Sequence, residues 1–138
     1  MNALATVLIL AAAAQSAAPI DVVRSFHAAL SAGDRDTALA TLDPAVIIFE
    51  QGGAEMTRNE YASKHLKEDV EFSRATTSRT IDQRSDAIGD AAWVLTRSET
   101  SGTFQGKPVA LSNAETVLLK RTATGWKIVH IHWSSHKK

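Results

Sequence analysis

The closing run Glu115–Ser135, ETVLLKRTATGWKIVHIHWSS, limits the possible folds more than any other stretch of this chain. Two runs rich in β-branched and aromatic residues flank the polar break Thr122-Ala123-Thr124-Gly125, which reads as a hairpin turn. Side chains alternate along a strand, so Trp126, Ile128, His130, His132 and Ser134 are expected on one face of the returning strand. Lys127, Val129, Ile131, Trp133 and Ser135 take the other. Both faces then carry bulky apolar groups, which predicts a central strand covered on both sides. It brings Glu115, two histidines and two tryptophans into one neighbourhood.

The whole chain has 138 residues, one domain's worth, with room for a sizeable core. Its 15 basic and 15 acidic residues balance, so no excess field points to nucleic acid or to an anionic membrane. It has no cysteine, which excludes disulfides, thiolate zinc sites and a cysteine nucleophile. Residues 1–18 carry no charge and end in Ser16-Ala17-Ala18 before Pro19, a small-x-small pattern. The apolar part is short for a membrane span, and Asn2 stands where a basic residue is usual. The reading is a secretory signal peptide at 1–18, a mature domain at 19–138, and a periplasmic or secreted product with no membrane segment left.

Asp21 is expected to cap a helix running to about Ala32, with Val22, Val23, Phe26 and Leu30 on one stripe. Gly33 ends it, and Asp34 caps a second short helix to about Leu42. Asp43-Pro44 stops that helix, and Ala45–Glu50 reads as a strand. Thr57-Arg58-Asn59-Glu60 is a capping box for a third helix to about Lys67, with Tyr61 and His65 one turn apart. Strands follow near 70–82, 91–104, 107–121 and 126–135. Helices first, then a run of antiparallel strands, makes an α+β domain: a curved antiparallel sheet wrapped around N-terminal helices.

This order resembles the cystatin-like cone of the nuclear transport factor 2-like superfamily, with its SnoaL-like and ketosteroid-isomerase-like members. Glu115-Thr116, Arg121, Gly125-Trp126 and Val129-His130-x-His132-x-Ser134 are similar to the association (hub) domain of calcium/calmodulin-dependent protein kinase II. The likeness extends through Gly89-Asp90 and Arg97 and covers about residues 20 to 135. No kinase domain fits in the chain. The resemblance implies a blind cavity between helices and sheet, a homodimer through the outer sheet face, and no cofactor.

Several residues then compete for roles. Glu50 reads equally as a strand-end carboxylate meeting water or, by resemblance, as a general base near the proton-moving Asp of ketosteroid isomerases. His65 is a second candidate base, and also an ordinary helix residue. Glu115 matches the pocket carboxylic acid of the isomerases and the hub's Glu, while Arg97 matches a basic hub pocket residue. Phe26, Tyr61 and Trp133 complete the expected lining. Phe26 stands where ketosteroid isomerases have a hydroxyl-donating Tyr, so the oxyanion hole is incomplete and steroid isomerisation does not carry over. Val117 and Trp133 replace two basic hub positions, favouring a more apolar ligand.

His130 and His132 lie ~7 Å apart on one strand face, and His136 could join them as a metal ligand. If Val129, Ile131 and Trp133 line the cavity, however, these imidazoles face the dimer partner. A bulge would exchange the faces. The leading expectation is an exported binder of a small, largely apolar molecule. Its rivals are an isomerase or dehydratase using Glu50 or His65, and a periplasmic metal binder.

Overall fold

A computed structural model describes residues 16–138, so most of the expected signal peptide lies outside the described residues. Four helices and six strands follow in the order α1 (Pro19–Ala32), α2 (Arg35–Thr41), β1 (Leu42–Glu50), β2 (Gly53–Glu55), α3 (Arg58–Ser63), α4 (Leu66–Ala75), β3 (Thr76–Ile88), β4 (Ala91–Phe104), β5 (Lys107–Thr122) and β6 (Gly125–Lys137). The class is α+β, as the sequence indicated. Among the described residues no helix is long and apolar enough to cross a membrane.

Local chemistry sets the helix ends. α1 starts at Pro19, ahead of Asp21, because proline lacks an amide that the first turn could not satisfy anyway. Gly33, at φ 77°, closes it in the left-handed conformation. Asp34 caps α2 as expected, accepting from the Thr37 amide at 3.0 Å and the Thr37 hydroxyl at 2.6 Å. Thr57 caps α3 through the Glu60 amide at 3.1 Å, while Glu60 reaches back to the Met56 amide at 2.8 Å. The third helix does not run on to Lys67: it breaks at Lys64-His65, and α4 begins at Leu66. Nor does a strand begin at 70. Leu66 and Val70, one turn apart, both bury in α4, and this helical spacing outweighs the short β-like alternation of Val70 and Phe72. At the α4–β3 junction the backbone passes close to β4. A Cβ on Gly102 would lie 2.8 Å from the Ala75 carbonyl oxygen, and φ there is 151°, so only glycine fits.

The strand order is β2-β1-β6-β5-β4-β3, antiparallel throughout except for the parallel β1–β6 pair. The closing strand is therefore internal, hydrogen-bonded to β1 and β5. Its register shifts once: Leu119 faces Ile128, but Leu118 faces His130, leaving Val129 as an extra residue. This bulge corrects the simple alternation. Trp126 and Ile128 are buried with Ile131, and Trp133 packs on the same core. The residues on both sides of the bulge thus supply the inner face.

The core lies between the helices and that face, with Val23, Phe26 and Leu30 of α1 against Val94, Val117, Leu119, Ile128 and Ile131 of the sheet. Full burial of each such side chain contributes about 1.5–3 kcal/mol. The outer face is different: Phe49, Leu95 and Leu118 stay 39 %, 44 % and 41 % exposed.

Candidate functional site

A pocket of about 820 Å³ opens between α1, α4 and the inner face of the sheet. Glu115 of β5 lies in its lining, with Thr96 of β4 and Trp133 of β6 as its cross-strand neighbours. Glu115 Oε2 takes two donors: His27 Nε2 at 2.7 Å and the Trp133 indole N–H at 2.5 Å. Its other oxygen, Oε1, is closed off from solvent. Burial pushes the Glu115 carboxyl up, but the His27 charge and hydrogen bond, with help from Trp133 and Thr96, hold it below its ordinary value. Burial likewise pulls His27 down, and Glu115 overcomes this to raise it. Both shifts favour the imidazolium–carboxylate form of the pair. The His27 side chain keeps 44 % exposure while protein surrounds it, because the water it meets is pocket water.

A second titratable group of residues sits across the pocket. Glu50 ends β1, where its β6 neighbour is Trp133. Its own carboxyl is raised by desolvation, partly offset by His65, with Glu68 pushing further up. Asp69 of α4 accepts from the Tyr61 hydroxyl at 2.7 Å. Desolvation pushes the Asp69 carboxyl up to about 6; the Tyr61 hydrogen bond opposes this, and the Glu50 charge adds to it. Tyr61 is itself fully buried and held protonated by that burial, so it is always the donor. His65 hydrogen-bonds through Nδ1 to the buried carboxylate of Glu55.

Of the residues proposed from the sequence, Glu50, His65, Glu115 and Trp133 come together around this pocket. Phe26 and Tyr61 are core residues behind its wall. Phe26 stacks on Trp133 at 6.3 Å between centroids, and Tyr61 positions Asp69. Arg97 is not in the lining, contrary to expectation. Val94, Thr96 and Ser98 alternate inward on β4, so Thr96 meets Glu115 while Arg97 points to a shallow outer groove beside Glu99 and His136. The pocket's arginine is Arg24 of α1 instead. The lining surface is mixed, polar and apolar in comparable measure: serines, threonines, Asn113 and carboxylates stand beside Phe72, Phe104, Leu111 and Trp133.

His130 and His132 face outward, with Phe49 against them at 5.1 and 6.2 Å. His130 Nδ1 lies 2.9 Å from the Ile47 carbonyl oxygen, which fixes Nδ1 as the protonated nitrogen. His136 is four residues beyond His132, too far along the strand to join the pair. Among the described residues no group of three or more His, Asp or Glu is placed to hold a metal ion.

The sequence reading missed His27, Asp69 and Arg24. His27 follows Phe26 and sits a turn from both Val23 and Leu30, on the flank of the buried stripe, which was the available signal. Asp69 was hidden because it fell between the helix expected to end near Lys67 and the strand expected from 70, whereas α4 runs through it.

Comparison with known proteins places this geometry in context. A family model described as SnoaL-like domain matches residues 20–136. A proposed ketosteroid isomerase from Shewanella frigidimarina is 33 % identical, with a TM-score of 0.80 over 83 % of this chain and 92 % of that one. The calcium/calmodulin-dependent protein kinase II hub of S. rosetta is 22 % identical, with a TM-score of 0.73 over 87 % and 98 %. A proposed dehydratase of the nuclear transport factor 2-like family from Streptomyces avermitilis is 20 % identical, with a TM-score of 0.70 over 83 % and 91 %. These last two likenesses concern the fold alone. No protein with a curated description matches the chain. With nearly all its described residues spanned by one family model, and a 33 % identical relative of the same architecture, the chain belongs to the SnoaL-like domain family on the nuclear transport factor 2-like fold.

Proposed function

We propose that this protein binds a small polar molecule in the pocket beside Glu115. The observation that carries this reading is the pocket itself, about 820 Å³, with the buried Glu115 in its lining and the partly exposed His27 and Trp133 donating to that carboxylate. The pocket volume lies within the range usual for small-molecule sites. Trp133 donates to the same carboxylate, so its indole N–H resonance reports on the site. Titration with a chemically broad set of small polar molecules is expected to shift that resonance. A set that leaves it unmoved while the protein stays folded would refute the reading.

A second reading, proton transfer of the isomerase or dehydratase kind, is favoured by one observation. Asp69 has a carboxyl raised to about 6, in a pocket that also holds Glu50 and the His27–Glu115 pair. A carboxylate poised near neutral pH suits general-base work. If a substrate is turned over, the rate should climb with pH along a limb near 6, and Asp69→Asn should remove that limb. A limb that persists in the variant excludes Asp69 as the base.

We also propose that two copies pair through the outer sheet face, where Phe49, Leu95 and Leu118 stay exposed in the single chain.

A further inference from the structure

Lys64-His65 separates α3 from α4, and this break sets His65 at the head of α4. One nitrogen of its ring is committed. Nδ1 donates to the carboxylate of Glu55 on β2, whose side chain is 5 % exposed. An ionised carboxylate can only accept, so the Nδ1 proton stays with His65 whatever happens at the other nitrogen. The His65 side chain is nevertheless 53 % exposed, and it lines the pocket. With the Nδ1 edge turned to Glu55, the open edge of the ring is the one that carries Nε2. Asp69 lines the same pocket one helical turn further on, its amide bonded to the His65 carbonyl oxygen at 3.0 Å. Proton transfer through Asp69 alone leaves His65 unused.

Resting on the reading that Asp69 takes a proton in this pocket, we infer that His65 Nε2 delivers one, with Glu55 as its positioning residue, and that a β-hydroxy carbonyl substrate loses water. Elimination needs a proton given as well as one taken. Asp69 removes the C–H proton beside the carbonyl, and the electron pair left behind forms the new C=C bond. The C–O bond on the next carbon breaks, and the departing hydroxyl takes the Nε2 proton and leaves as water. His65 ends neutral and Asp69 protonated, so one proton returned between them resets the site. The buried carboxylate fits this role. It keeps the proton on Nδ1 when Nε2 has given its own, so the ring neither turns nor changes tautomer between the two states. Stability alone is a weaker account of the pair. A carboxylate buried merely to face a half-exposed ring costs desolvation that an apolar side chain on β2 would avoid.

Two chromogenic probes carry both an acidic C–H and a leaving oxygen: 5-nitrobenzisoxazole, whose phenolate leaves readily, and unsubstituted benzisoxazole, whose phenolate leaves poorly. In each, a base takes the ring C–H proton, a C≡N bond forms and the N–O bond breaks to release a cyanophenol. A proton donor therefore matters most for the second probe. The wild type is expected to turn over both faster than acetate and imidazole at equal concentration. Asp69→Asn should lose about 10²-fold with both probes. His65→Gln, at a half-exposed position that should leave the fold intact, should lose about 10²-fold with benzisoxazole and about tenfold or less with the nitro compound. Glu55→Gln keeps an acceptor for Nδ1 without the charge, and should repeat that pattern to a smaller degree. Equal losses with the two probes in His65→Gln, or no loss, would overturn the inference and leave proton transfer through Asp69 standing. A Glu55→Gln variant indistinguishable from wild type would overturn the positioning role. If the wild type is no faster than the two buffers with either probe, proton transfer and the inference fall together.

Discussion

Glu115→Ala is expected to cost about 2–4 kcal/mol of folding stability and to abolish ligand binding in the pocket. The largest part comes from Trp133, whose indole N–H loses its acceptor at a partly buried site, worth about 1–3 kcal/mol. His27 loses its counter-charge, but its side chain is 44 % exposed, so water compensates most of that loss and the remainder is about 1 kcal/mol or less. Glu115→Gln keeps an acceptor for Trp133 and should therefore cost less. The two substitutions separate packing from charge through pH. Glu115 is held below its ordinary 4.5, so its contribution is present above that value and disappears as pH falls through the lower folded one. His27 is held above its ordinary 6.5, so its contribution is complete below that value and fades as pH rises through the raised folded one. The ion pair thus stabilises most between about pH 4.5 and 6.5. Urea unfolding of wild type and Glu115→Gln across pH 4 to 9 should show a difference that peaks in this window and shrinks on both sides. A difference that stays flat across the range would mean that the pair is not ionised.

How far this site could be read from the sequence depended on which spacing governed each segment. Glu115 and Trp133 were legible because β5 and β6 alternate cleanly from Glu115 to Leu118 and from His130 to Trp133. Trp126 and Ile128 were assigned to the wrong face because one extra residue, Val129, resets the alternation, and no local residue type announces a bulge. Arg97 was misplaced through a motif matched by position: a one-residue difference in register on a strand moves a side chain to the opposite face. Asp69 was lost with α4, a ten-residue helix whose charged outer face left little apolar periodicity to find. The hydroxyl wall was invisible for another reason. Thr76, Ser78, Thr80, Ser98 and Thr100 carried no reading in the sequence, because no local spacing marks hydroxyls on two paired strands as the lining of one pocket.

Replacing Leu95 and Leu118 together by glutamate should convert a wild-type dimer into a monomer. Leu118 faces Trp93 across the β4–β5 ladder and Leu95 faces Thr116, so the two leucines lie two residues apart on one outer strip. Phe49 and the imidazoles of His130 and His132 extend that strip across β6 to β1. In a twofold pair the same patch meets itself, so each substitution enters the interface twice and four carboxylates would face one another. With roughly 2 kcal/mol lost at each of four anchor positions, the dissociation constant should rise by about 10⁵- to 10⁶-fold. Sedimentation velocity would read this directly. The protomer itself should survive, since both leucines are already more than two-fifths exposed within it. Ile88→Glu is the control: Ile88 is 73 % exposed at the β3–β4 turn, outside the strip, and its replacement should leave the dimer intact. The pocket opens on the opposite side of the sheet, so a monomeric variant should still show the ligand-induced shift at Trp133. A wild-type chain that sediments as a monomer at every concentration would end the proposal. A double variant that remains a dimer would move the contact off this face, and the exposed Phe49–Leu118–Leu95 strip would then need another reason to be apolar.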